Sequence, residues 1–230
     1  MAAFYGYQID GIYSTQEQVD AANAVFADGS ARAGLGYPIV KDVNGDDKID
    51  PSDRVVLGKP FADYTFGLNN RFKYKNLTLD VYVIGVQGIE TFNNLIAESF
   101  YPIDPDRNKL SEYYINRWTP DNINAQYPSM VEPGNYQDGR KVNKWTIQDA
   151  SFVRIKNITL GYDLPIKAIG LKSANFYVSL ENFFTFSDFD GFDPDANSSG
   201  SQSSSARSQR GTFGDYPLAK TVRIGARFTL

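Results

Sequence analysis

From Tyr64 to Tyr74 the chain alternates strictly: Tyr64, Phe66, Leu68, Asn70, Phe72 and Tyr74 share one parity, and Thr65, Gly67, Asn69, Arg71 and Lys73 share the other. A period of two is the repeat of a β-strand with one apolar and one polar face. Asn175 to Phe186 repeats it, with Phe176, Val178, Leu180, Phe184 and Phe186 opposed to Asn175, Ser179, Glu181 and Thr185. The last ten residues repeat it most cleanly, Val222, Ile224, Ala226, Phe228 and Leu230 alternating with Thr221, Arg223, Gly225, Arg227 and Thr229. Phe4 to Tyr13, Leu77 to Val86 and Phe152 to Tyr162 are rich in β-branched and aromatic residues and bring the expected strands to about six. In Phe152 to Tyr162, Val153 and Ile155 lie on one parity and Ile158, Leu160 and Tyr162 on the other. A bulge near Lys156 and Asn157 restores a common face.

Connection lengths then set the topology. Ser14 to Asp63 is long, Lys75-Asn76 short, Gln87 to Ser151 long, Asp163 to Ala174 fairly short and Ser187 to Lys220 long. Three long loops therefore fall on one rim, the asymmetry of antiparallel outer-membrane barrels with tight turns on the other rim. Long loops in compact domains are usually functional. A short helix is expected at Gln16 to Phe26, capped by Ser14 or Thr15, and another at Asn108 to Trp118. Ser198 to Ser208 is Ser-rich and is expected to be mobile.

Composition removes whole classes of chemistry. The chain has no His and no Cys, so Ser-His-Asp hydrolysis, His-ligated zinc, thiolate nucleophiles and disulfides are all excluded. A net charge of -4 offers no broad cationic surface for phosphates, which argues against a nucleic-acid partner. No apolar run approaches the roughly 20 residues of a membrane-spanning helix. The N-terminal residues lack a basic region followed by an apolar core, so no secretory signal is visible.

Three groups of residues invite functional readings. Asp42, Asn44, Asp46, Lys48 (through its carbonyl), Asp50 and Asp53 occupy the ligand spacing of an EF-hand-like calcium loop, with Asp47 at the position usually held by Gly. The competing reading is an acidic turn held by its own Asx hydrogen bonds. Phe100, Tyr101, Tyr113, Tyr114, Trp118 and Trp145 sit in long loops and suit sugar or peptide stacking, of which Tyr101, Tyr114, Trp118 and Trp145 are the candidates for substrate-facing positions; packing within the loops competes. Asp188 with Asp190 and Asp193 with Asp195 are acid pairs of the type glycosidases use, yet their Gly191, Pro194 and Asn197 neighbours explain them as turns. Arg71, Lys73, Arg154, Arg223 and Arg227 fall on polar strand faces, suited equally to a lumen or to solvent.

Several stretches together resemble the C-terminal barrel region of SusC/RagA-family TonB-dependent receptors, over nearly the whole chain. They are residues 6–13, 41–46, 49–54, 116–121, 149–162, 178–186 and 191–194, in the same order. The end of the chain is similar to the terminal strand signal of outer-membrane barrels, with Arg223, Gly225, Phe228 and Leu230 in the key positions and Leu230 replacing the usual aromatic. The resemblance implies that residues 1–230 are part of a plugged 22-stranded barrel, an all-β antiparallel transmembrane segment with long extracellular loops containing short helices. It further implies a Gram-negative outer membrane, a lipid environment, a SusD-like surface lipoprotein, energy from TonB-ExbB-ExbD and import of oligosaccharides or peptides without catalysis. Six strands leave two unpaired edges, so the chain is expected to be a fragment without plug, TonB box or signal peptide. The rival expectation is a soluble, calcium-stabilised β-sandwich that binds carbohydrate; a soluble glycosidase ranks third.

Overall fold

A computed structural model describes residues 3–100, 110–129, 142–165, 171–195, 211–212 and 217–229. In chain order its strands are β1 Phe4–Tyr7, β2 Ile9–Ile12, β3 Pro38–Val40, β4 Arg54–Gly58, β5 Tyr64–Tyr74, β6 Leu77–Gln87, β7 Glu90–Asn93, β8 Ile147–Asp149, β9 Phe152–Leu164, β10 Ser173–Phe186, β11 Gly211–Thr212 and β12 Thr221–Thr229. Helices are few and short: α1 Gln16–Val25, α2 Asn94–Phe100 and α3 Ser111–Ile115. The chain divides into two units, one of long strands and one of loop segments.

The strand unit is a five-stranded antiparallel sheet in the order β12-β10-β9-β6-β5. Its register places every alternating set on the same side: Phe66, Leu68 and Phe72 of β5, Leu79, Val81 and Val83 of β6, Leu160 and Tyr162 of β9, Phe176 and Val178 of β10, and Ile224 and Ala226 of β12. This apolar face lies open, Ile224 being 82% exposed. The opposite face carries polar pairs between neighbours. Arg71 meets Asp80 at 2.5 Å, Arg223 meets Glu181 at 3.0 Å, and the Ser179 hydroxyl donates to Asn157 Oδ1 at 2.6 Å. An open apolar face of this extent is foreign to a soluble monomer.

The expected two-residue connection between β5 and β6 is present. Lys75 takes the left-handed conformation (φ 52°), and the turn is tied sideways by Asn76 Nδ2 donating to the Asp163 carbonyl at 2.7 Å. The expected bulge is also present, and it is larger than a single site. Asn157 pairs with Tyr82 and Ile155 with Val83, so Lys156 is extra relative to β6. On its other side, Asn157 pairs with Glu181 and Ile155 with Phe184, so β10 carries Asn182 and Phe183 against that one residue. The parity break in the sequence of β9 is thereby absorbed, and Ile155 and Ile158 face the same way.

Phe4 to Tyr13 departs from expectation and does not join this sheet. It breaks at Gln8 into β1, paired with β4, and β2, paired with β3. Its buried residues explain the break: Phe4 and Gly6 share one parity, Tyr7, Ile9 and Tyr13 the other, so no single face could be apolar. Gly6 is required where it stands, because a Cβ there would lie 2.0 Å from the Val142 carbonyl oxygen. Five of the six expected long strands are therefore wall strands.

The loop unit has its own core. Tyr7, Ile9, Ala31, Val40 and Ile49 form one cluster, Ile96, Tyr113 and Tyr127 another, and Trp145 packs against both. Helix α1 begins as expected at Thr15, whose hydroxyl accepts the Gln18 amide while Gln18 reciprocates in a capping box. Helix α3 is shorter than the expected Asn108 to Trp118, and residues 108–109 lie outside the described residues. In the strand unit, Ile89, Ala150 and Phe189 pack with Ala62 and Val86 at one end of the sheet.

Candidate functional site

The acidic loop is built from turns. Asp42 accepts the Gly45 amide at 2.6 Å and the Asp47 amide at 2.9 Å, Asn44 Oδ1 accepts the Asp46 amide, and Asp46 Oδ1 accepts the Lys48 amide. Gly45 (φ 75°) and Asp47 (φ 60°) take left-handed conformations, so Asp47 does serve where Gly is usual. Asp50 accepts from the Ser52 hydroxyl at 2.6 Å and amide at 2.7 Å, and these two bonds hold its carboxyl below the usual range. Asp53, fully buried, accepts the Val43 amide at 2.9 Å and the Asp50 amide at 2.8 Å. The loop's carboxylates are thus turned onto their own backbone. Among the described residues no three acidic side chains converge in one place, and each of these side chains holds a turn of its own loop.

The candidate aromatics separate. Trp118 is only 8% exposed and Trp145 is half-buried between two core clusters, so both pack the loop unit. Tyr114 is exposed, with the Arg117 guanidinium 3.7 Å from its ring centre and donating to its carbonyl. Tyr101 lies outside the described residues. At the end of the chain, Arg223 is paired with Glu181, the Tyr177 ring covers Gly225, and Phe228 is exposed on the apolar face with Phe176 edge-on at 6.0 Å. Leu230 lies outside the described residues.

The most constrained polar cluster is one that sequence reasoning split apart. Arg154 is 1% exposed, stacked 5.1 Å from the centre of the Phe152 ring. Its Nε donates to Thr185 Oγ1 at 2.9 Å, its Nη2 to Asp193 Oδ1 at 2.5 Å, and its Nη1 lies 3.5 Å from Asp195 Oδ2. Asp193 also accepts the Asp195 amide at 2.9 Å and, from the far end of the same loop, the Leu218 amide at 3.0 Å. Burial raises the Asp193 pKa, but the Leu218 and Asp195 amides and the Arg154 guanidinium outweigh it and hold the carboxyl below its ordinary range. One arginine thereby fastens both roots of the connection between β10 and β12 to the sheet. The signal in the sequence was an arginine inside the apolar run Phe152-Val-Arg-Ile, which burial obliges to find an acid.

No protein-family model matches the chain. A TonB-dependent receptor of Formosa agariphila is 30% identical over 231 residues, covering 98% of this chain and 22% of the relative. The TonB-dependent receptor SusC of Bacteroides thetaiotaomicron is 26% identical over 188 residues, covering 77% of this chain and 17% of SusC. The solved RagAB peptide transporter superposes with a TM-score of 0.72 at 19% identity, over 98% of this chain and 22% of that one. The open-open state of the RagAB peptide importer gives 0.69 at 18% identity, over 99% and 22%. Over nearly its whole length the chain is similar to part of these TonB-dependent receptors, and its fold to part of RagAB. It spans 22% of the length of the first of these receptors. A TonB-dependent receptor wall accounts for the open apolar face, which a β-sandwich would have packed against a second sheet; the soluble carbohydrate-binding module is not favoured.

Proposed function

We propose that this chain is the C-terminal part of a 22-stranded TonB-dependent outer-membrane importer of a Gram-negative bacterium. It carries no catalysis and supplies the last five wall strands together with extracellular loops. The observation that carries this reading is the five-stranded sheet with one continuous open apolar face and one polar, ion-paired face. Lipid is the solvent that matches the first face, and a watery lumen matches the second. The edges of β5 and β12 then pair with strands supplied by the rest of the receptor, because a lipid-exposed edge leaves backbone groups unsatisfied. By analogy with SusC and RagAB, the cargo is an oligosaccharide or peptide, a SusD-like lipoprotein closes the outer mouth, and TonB-ExbB-ExbD drives uptake through a plug encoded upstream.

The test is genetic and biochemical. The gene carrying this segment is deleted, and growth is scored on single oligosaccharides and on peptide mixtures while the tagged receptor is followed through membrane fractionation. Outer-membrane residence with heat-modifiable gel mobility and loss of growth on one substrate class is the expected result. A soluble protein whose loss affects no substrate uptake would refute the reading.

A further inference from the structure

The polar face of the sheet changes character toward the end where the long connections leave. Nearer the short turns it carries Arg71, Asp80, Thr159, Ser179 and Arg223, but farther along the same parity brings Ile84 and Val86 of β6 and Phe152 of β9. Apolar side chains on a face that otherwise suits water need cover. The chain after β10 supplies it. Ser187 donates to the Ser151 carbonyl at 2.8 Å, and Phe189 packs with Val86, Ile89 and Ala150. Asp193 and Asp195 then reach Arg154, which pairs with Ile84 and so belongs to that same face. Phe152 and Arg154 are buried there, whereas Val153 and Ile155, on the opposite parity, stay partly exposed. The returning limb is drawn the same way, since the Leu218 amide donates to Asp193. Both described roots of the connection therefore turn across the polar face and not outward from the rim.

We propose that residues 187–195 form a ledge inside the lumen that narrows the import path, with Arg154 as the residue that positions it. A layer of chain packed on a sheet stands about 10 Å from it, so the bore loses that depth along this stretch of wall. Arg71 and Arg223, on the same face nearer the short turns, remain exposed, so the narrowing is confined to the end from which the long connections leave. Asp188 and Asp190, exposed on either side of the buried Phe189, are what the ledge presents to the water beside it. Arg154 holds the ledge through three partners on two strands of chain, Thr185 behind it and Asp193 and Asp195 in front.

The inference rests on the outer-membrane reading, so its test reports on the two separately. This chain has no cysteine, so single cysteines are placed in the full receptor, with any cysteine elsewhere in it replaced by serine. Asp188→Cys, Ile115→Cys and Ile224→Cys sample the ledge, the loop unit and the apolar face, all at exposed positions. Each receptor, in nanodiscs, is labelled with N-ethylmaleimide and with a maleimide carried on a long polyethylene glycol chain. Heat-modifiable gel mobility records independently whether the barrel has formed. Relative to Ile115→Cys, the bulky reagent should label Asp188→Cys more than about tenfold slower than the small one does, because it must wait for local opening. Adding Arg154→Met should abolish that difference without altering the rates at Ile115→Cys, and Asp193→Asn serves in its place if the first variant forms no barrel. Bulky labelling of Asp188→Cys as fast as that of Ile115→Cys would put the segment outside the rim and overturn the ledge. A formed barrel whose size selectivity the latch variant leaves intact would overturn Arg154 as the positioning residue. Prompt labelling of Ile224→Cys by N-ethylmaleimide would instead sink the outer-membrane reading itself.

Discussion

Replacing Arg154 by Met separates a buried ion pair from an exposed one within the same sheet. The pairs Arg154–Asp193 and Arg71–Asp80 have the same 2.5 Å contact, but their side chains are 2% and 7% exposed in the first and 70% and 25% in the second. Breaking a buried pair by removing one partner costs about 3–5 kcal/mol, because the survivor keeps its charge without its counter-charge. Asp193 retains the Leu218 and Asp195 amides, which places Arg154→Met near the lower limit, about 3 kcal/mol. At 1.4 kcal/mol per tenfold, opening of the 187–220 connection should become roughly a hundredfold more frequent. The assay is hydrogen exchange on the full receptor, read at the peptides containing the Asp195 and Leu218 amides. Arg71→Met is the control; an exposed pair is worth about 0–1 kcal/mol, so exchange near Asp80 should change by no more than about fivefold. If Arg154→Met changed exchange at Leu218 no more than Arg71→Met does at its own site, burial would not be what makes this cluster hold the loop.

The same cluster sets a pH limit. The folded pKa of Asp193 lies below its ordinary 3.8, so its stabilisation is fully present above that value and is lost only as the pH falls through the lower folded one; protease resistance of the connection should be flat from pH 7 to pH 5 and fall in stronger acid. Ile224→Lys would be nearly silent on a soluble sheet, but if the apolar face meets lipid as proposed it should cost up to about 2–4 kcal/mol, visible as a lower urea midpoint for barrel folding in lipid vesicles. The two readings of the 42–53 loop part on addition of calcium: a self-capped turn, its carboxylates already holding their own amides, leaves the melting temperature of the receptor unchanged, whereas a bound cation raises it by several degrees and a chelator reverses the rise. Gly6→Ala drives a Cβ into the Val142 carbonyl and should destabilise by about 1–3 kcal/mol, measured by differential scanning calorimetry.

The wall was largely readable from sequence because in a strand the face of every residue follows from parity alone. Even the irregularity in β9 announced itself, since Val153 and Ile155 cannot share a side with Ile158 unless one residue is stepped over. Phe4 to Tyr13 misled because its aromatic content has high strand propensity, and propensity does not say which partner a strand takes. The loop aromatics were legible only as types. Whether Trp118 packs inward or faces outward depends on distant segments, and its burial comes from contacts such as that with Gly36 that no local pattern encodes. The Arg154 cluster joins residues 39 positions apart through a turn, and short-range spacing is blind to such a meeting.

The bulge has a geometric consequence resembling that of an edge dislocation in a crystal. Crossing the same level of the sheet, β6 contributes no extra residue, β9 contributes Lys156, and β10 contributes Asn182 and Phe183. Material is thus inserted stepwise from strand to strand, and the ladders resume above it, Val83 with Ile155 and Ile155 with Phe184. The pairing of β10 with β12 ends at that same level, at Glu181 with Thr221. Deleting Lys156 alone would therefore not tidy the whole sheet; it would make β9 regular against β6, with Ile155 and Ile158 keeping their common face, but would leave Asn182 and Phe183 of β10 with nothing opposite them.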